Sequence, residues 1–122
     1  MLKFAIPVLH VSSSATAGQF FERLGFRQEF AMRPDAPKPD PCYMGFKRDE
    51  VLLHVSSFSG DGVSGGVVYV AVDDVNALHR EFVTRGVSID TGPVDQTWGT
   101  REMYVKDTDR NSLRFTQDLD LP

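Results

Sequence analysis

A short motif is written twice in this chain, and the repeat constrains the fold more than any other feature. Phe20-Phe21-Glu22-Arg23-Leu24-Gly25-Phe26 is echoed by Glu81-Phe82-Val83-Thr84-Arg85-Gly86-Val87. Phe21 falls opposite Phe82, Gly25 opposite Gly86 and Val11 opposite Val72, each 61 positions apart. Near the ends of the halves, Val51-Leu52-Leu53-His54-Val55 falls opposite Asn111-Ser112-Leu113-Arg114-Phe115 at a spacing of 60. A chain of 122 residues made of two such units buries a core by pairing them, since neither is large enough to stand alone. Pairing also creates a shared groove, where a ligand would sit.

The elements follow the repeat. Phe4 to Val11 reads as a strand, and Ser12-Ser13-Ser14 supplies N-cap hydroxyls. Ala17, Phe20, Phe21 and Leu24 then trace one face of a helix that Gly25 ends. Strands are expected over Phe26–Ala31, Tyr43–Lys47 and Val51–Ser57. Pro34, Pro37, Pro39 and Pro41 make Arg33–Cys42 an extended loop, either a plain surface connection or a lid or wall of the site. The second copy gives a strand over Val67–Val72 and a helix capped by Asp73 or Asp74, with Val75, Leu78 and Phe82 on one face. Gly86 ends that helix. Strands follow at Val87–Asp90, Arg101–Lys106 and Ser112–Gln117, with a loop over Thr91–Gly99. The expected fold is α+β: a βαβββ module over residues 1–59, a flexible glycine- and serine-rich linker over 60–66, and a second βαβββ module over 67–122, together one domain.

Composition narrows the partners. Thirteen basic and seventeen acidic residues leave a net charge of −4, which argues against nucleic acid and leaves room for a cationic small molecule. Cys42 is the single cysteine, so no intrachain disulfide forms, as in a reducing cytosol. No apolar run approaches membrane-spanning length and the start lacks a signal peptide's apolar region. The chain reads as complete, soluble and cytoplasmic. Catalytic signatures are missing too. There is no Gly-x-Ser-x-Gly, phosphate loop or dinucleotide fingerprint. Cys42 has no base near it in sequence, and Asp107 and Asp109 sit in an expected hairpin turn, where Asp serves the backbone.

The element order, with Leu24-Gly25-Phe26 after the first helix, resembles the vicinal oxygen chelate superfamily. That group includes glyoxalase I, extradiol dioxygenases, fosfomycin resistance proteins and bleomycin resistance proteins. The chain looks most like the last of these. The shared stretches are Ile6-Pro7-Val8-Leu9, Phe20 through Phe30, and Gln96-Thr97-Trp98-Gly99 leading into Arg101-Glu102. The resemblance implies sheets curved around a cleft and a homodimer whose clefts draw on both subunits. The superfamily's enzymes mount a divalent metal at four places that fall here at Ile6, His54, Val67 and Arg114. Two are apolar and Arg114 is a permanent cation, leaving His54 alone. No metal or other cofactor is expected.

Strand alternation turns Met103, Val105, Leu113, Phe115, Val51, Leu53 and Val55 inward. It leaves Glu102, Tyr104, Ser112, Arg114, Thr116, His54 and Ser56 facing the groove. Trp98 lies outside any periodic apolar run. It is either a cover for the sheet edge or an aromatic wall. In bleomycin-binding relatives, the resemblance implies, a tryptophan at this place and a phenylalanine at the place of Phe30 sandwich a planar ring system. Glu29 and Glu102 could attract a cationic tail, whereas Arg114 does not suit a strongly cationic ligand; it would pair with Glu102 or contact an acidic or carbonyl-rich ligand. The expected ligand-binding set is Trp98, Phe30, Glu102, Tyr104, His54 and Arg114. The expected function is metal-independent sequestration of a planar drug-like molecule, a bleomycin-family antibiotic first. The alternatives are a metal-dependent glyoxalase- or dioxygenase-type enzyme, and a carrier of the same fold with no resistance role.

Overall fold

The computed structural model describes residues 1–119. The two copies of the motif fold alike because the same local bonds begin and end both helices. Helix α1 (Ser14–Arg23) starts on Ser13, whose hydroxyl accepts the Thr16 N–H at 3.3 Å. Helix α2 (Val75–Thr84) starts on Asp74, whose carboxylate accepts the Ala77 N–H at 3.0 Å. Gly25 and Gly86 follow at φ 82° and 77°, the left-handed region that glycine enters without strain. Past each glycine the Phe26 and Val87 N–H groups return to the Phe21 and Phe82 carbonyls, both at 2.9 Å. This Schellman closure pairs carbonyls that the helix end would leave unbonded.

Strands β1 (Val8–His10), β2 (Arg27–Met32), β3 (Tyr43–Arg48) and β4 (Val51–Ser56) form one sheet in the order β1-β4-β3-β2. Strands β5 (Val67–Ala71), β6 (Thr91–Asp95), β7 (Thr100–Lys106) and β8 (Ser112–Asp118) form another in the order β5-β8-β7-β6. In each, the first strand runs parallel to the last and the other pairs are antiparallel. Two segments depart from expectation. Of the expected Phe4–Val11 strand, Val8–His10 is in register with β4, and Pro7 and Val11 on either side add backbone bonds to it at 3.0 and 2.9 Å. The strand expected at Val87–Asp90 lies instead at Thr91–Asp95, within the expected loop. Its register shifts between Thr91 and Val94, around Gly92 and Pro93. An edge strand tolerates these breakers because its outer N–H groups serve no neighbour.

Each helix covers one face of its sheet. Phe21 stacks on Phe46 at 5.2 Å between ring centres, and Phe82 meets Phe115 edge-on at the same distance. Leu53, Val55, Met103, Val105, Leu113 and Phe115 turn inward, and the buried apolar cluster runs through both modules.

Polar side chains fix the join between modules. Arg48, at the end of β3, donates to the Leu24 carbonyl at 2.8 Å and to both Glu81 carboxylate oxygens at 2.7 and 2.8 Å. The Arg48 hydrogen bond, chiefly, lowers the Glu81 pKa. A side chain at Gly25 would press into that guanidinium. Asn111, fully buried, donates to the His10 carbonyl and to Asp107, both at 2.9 Å. Its amide oxygen accepts from Gly65 and Gly66 at 3.1 and 2.9 Å. Those bonds tie down the linker that composition marks as flexible. The proline loop is tied as well: Asp40 accepts from the Ser14 N–H at 3.2 Å and the Ser57 hydroxyl at 2.6 Å. Cys42, just beyond it, is a buried thiol.

Replacing Asn111 with Ala strands two N–H groups, a carbonyl and an Asp107 carboxylate oxygen, so Asn111→Ala should lower stability by at least about 2 kcal/mol. Urea denaturation checks this, and a midpoint within error of the wild type would show that the join does not rest on the amide.

Candidate functional site

The face of each sheet opposite its helix is where side chains stand free of the core. Strand register lines up one rung of residues across each such face. In the first sheet the rung is Val8, His54, Gly45 and Phe30. In the second it is Tyr69, Arg114, Tyr104 and Thr91. The rungs are the repeat seen from outside, and their chemistry has diverged.

On the first rung the Phe30 ring lies over Gly45, where any Cβ would collide with it. Tyr43 stacks beside Phe30 with ring centres 6.2 Å apart. The His54 ring meets Phe30 and Tyr43 edge-on at 5.3 and 5.2 Å. Tyr43 hydroxyl and His54 Nδ1 share a hydrogen bond of 2.8 Å. Burial first, and the Asp61 charge second, push the Tyr43 phenol above its ordinary pKa, so it stays protonated at neutral pH. Phe30 remains 44% exposed, too open for a core ring.

The second face is organised by one carboxylate. Trp98 sits in the β6–β7 turn, closed by the Gln96 N–H on the Thr100 carbonyl at 2.8 Å. Its indole N–H donates to Glu102 Oε2 at 3.1 Å. The Thr100 hydroxyl donates to the same oxygen at 2.6 Å, and the Tyr104 hydroxyl to Oε1 at 2.7 Å. The Thr100 bond foremost, then Tyr104 and Trp98 and the Arg114 charge, hold the Glu102 pKa below the usual glutamate range against its own desolvation. Glu102 is 5% exposed while Trp98 is 67% exposed. The carboxylate is therefore an internal brace and the indole is the surface it presents. Arg114 lies over the Tyr104 ring, its guanidinium carbon 4.9 Å from the ring centre.

The six expected residues thus form two groups. Phe30 and His54 meet on the first sheet; Trp98, Glu102, Tyr104 and Arg114 meet on the second. Among the described residues no ring pairing joins the groups. Ser56, Ser112 and Thr116, expected to face a groove, are buried, and the Ser56 hydroxyl is spent on Asp61 at 2.7 Å. Glu29 is paired with Arg27 at 3.3 Å. Sequence reasoning missed Tyr43, Gly45, Tyr69 and Thr100. Alternation carried a signal for Thr100, two residues before Glu102 on the same face. Tyr43 and Gly45 needed the pairing of β3 with its neighbours. A groove of about 490 Å³ opens elsewhere, at the module join, lined by Leu24, Arg48, Val70, Leu78, Glu81 and Phe115 among others. It holds none of the six.

The family described as "Glyoxalase superfamily protein" matches residues 1–121. The chain belongs to the glyoxalase superfamily. Solved structures share the fold. A bleomycin-binding protein complexed with bleomycin aligns at a TM-score of 0.74 with 24% identity, covering 96% of this chain and 99% of that one. A bleomycin resistance determinant encoded on transposon Tn5 gives 0.74 and 24%, covering 98% and 100%. A virulence protein from Salmonella typhimurium gives 0.69 and 21%, covering 98% of each. Among curated proteins, none matches the sequence.

Metal-bearing glyoxalase-superfamily sites need a converging set of N and O donors, and these residues do not fit one. Ile6 and Val67 are apolar and Arg114 is a cation lying on Tyr104, which leaves the His54 imidazole as the one donor at the four places. Among the described residues no three His, Cys, Asp or Glu side chains are grouped to hold an ion.

With one tryptophan in the chain, the indole N–H gives a single resonance that reports the brace. Glu102→Gln should shift it upfield, toward the position of an unbonded indole. In the wild type the same shift should come only on acidification below the free glutamate value of about 4.3, because a depressed pKa keeps the carboxylate charged until then. An unmoved resonance in both experiments would remove the brace.

Proposed function

We propose that this superfamily member binds and sequesters a flat, drug-like aromatic molecule without a metal and without chemistry on it. Bleomycin-family antibiotics, bound by one of its structural neighbours, are the first candidates. Sequestration of this kind confers resistance by mass action, and the buried single thiol suits a cytoplasmic setting for it. The observation that carries the reading is the exposed Trp98 ring, held in place from below by a buried glutamate. A core residue would be covered and an incidental surface ring would not be braced. Stacking on such a ring adds about 0.5–1.5 kcal/mol beyond area burial. The Phe30–Tyr43–His54 cluster supplies a second aromatic surface.

A homodimer completes the site in this reading. Phe30, Met32, Val67, Tyr69, Val94 and Trp98 are large apolar or aromatic side chains left exposed. Two-fold pairing is the commonest way to cover such faces. Closing the first sheet of one copy over the second sheet of another would place the two aromatic groups on opposite walls of one cleft.

Titration with bleomycin should quench Trp98 fluorescence at micromolar concentrations and release measurable heat. Trp98→Ala should weaken binding about tenfold, the equivalent of about 1.4 kcal/mol. If bleomycin gives neither quenching nor heat, that ligand is wrong. One tightly held divalent ion per purified chain would favour the enzyme reading instead. Light scattering should give twice the chain mass.

A further inference from the structure

The charges on the open face of the second sheet point to the kind of flat molecule it receives. Two groups there carry opposite charge near the Trp98 ring, Glu102 and Arg114, and the structure treats them differently. Glu102 is buried with three donors on its two oxygens. A cationic ligand arriving at that carboxylate would have to displace bonds already made. Arg114 is the single exposed side chain between Asn111 and Thr116. Among the described residues its guanidinium takes part in no ion pair and no hydrogen bond. It lies over Tyr104 and, in strand register, beside Tyr69. The other cation on that face, Lys106, is 3.5 Å from Asp90.

A guanidinium held over an aromatic ring by cation–π attraction spends none of its five N–H donors there, and its fork matches two oxygens of a carboxylate. Tyr104 holds the Arg114 guanidinium carbon 4.9 Å from its ring centre. Distant surface charges are screened beyond about 8 Å at physiological salt, and the near carboxylate, Glu102, which feels the Arg114 charge, has both oxygens taken by three donors of its own. We infer that the ligand is a planar aromatic carrying a carboxylate or similar oxyanion beside the ring, the ring on Trp98 and the oxyanion on Arg114. This rests on the reading of the site as an aromatic-ligand surface. Within that reading it disfavours a ligand whose only charge beside the ring is positive.

Three probes of one shape test it: 2-naphthoate, 2-naphthamide and 2-naphthylmethylamine, which are anionic, neutral and cationic. Calorimetric titration should show naphthoate binding about tenfold tighter than naphthamide, and the amine weakest. Arg114→Met should bring naphthoate affinity down to that of naphthamide measured in the same variant, and Arg114→Lys should restore part of the difference. Raising salt should weaken naphthoate alone. If all three bind wild type equally, or the preference survives in Arg114→Met, the oxyanion is wrong and the aromatic surface stands. If none binds while both variants melt like wild type, the aromatic-ligand reading fails and takes the oxyanion with it.

Discussion

Each module of this chain has one helix and a sheet with two faces. That mismatch decides the rest of the molecule. The helix takes one face, where Phe21 and Phe82 enter and the strands turn their branched, sulfur-bearing and aromatic side chains inward. The other face stays outside the core, and residues there are released from the demand to be apolar. This is why Arg114, His54 and Tyr104 can stand on strands whose alternate residues are buried. Chemistry and stability occupy opposite sides of the same backbone, one residue apart.

The duplication makes the divergence of the two open faces measurable. Val8 and Tyr69 hold matching places on their rungs, as do His54 and Arg114, and Gly45 and Tyr104. In the first module a glycine lets a ring from the neighbouring strand lie across the rung. In the second the ring grows from the rung itself and carries a guanidinium on its face. The helix ends, by contrast, have kept the same glycine, the same left-handed turn and the same returning N–H. What was conserved between the copies is what closes the helices and fills the core; what changed is what meets solvent.

Much of this was legible in the residues. The aromatic-to-glycine motif fixed both helix ends, and period-two alternation sorted Met103 and Val105 from Glu102 and Tyr104. The strand at Thr91–Asp95 was not legible, because Gly92 and Pro93 advertise a loop and only the edge position makes them tolerable. The linker looked loose from its glycines and serines. Its restraint comes from Asn111, some 45 residues away, which no local pattern announces. In the sequence Glu102 is a charge available to a ligand. Its three donors come from a turn, a neighbouring threonine and a tyrosine on its own strand, and their convergence on one carboxylate needs coordinates. The placement of Phe30 over Gly45 likewise depended on a register that a bulge in β2 sets.

The bond between the buried glutamate and the exposed indole has a consequence for time as well as place. A tryptophan on a surface turn ordinarily samples several rotamers, and a ligand that stacks on it must arrest that motion, a modest cost because only two torsions are fixed. Here folding has already arrested it, with the ring edge anchored at 3.1 Å. In the binding function proposed above, an arriving molecule would therefore meet a ring already oriented, and selection among flat ligands would fall to how well each fits that orientation rather than to how far the protein can bend toward it.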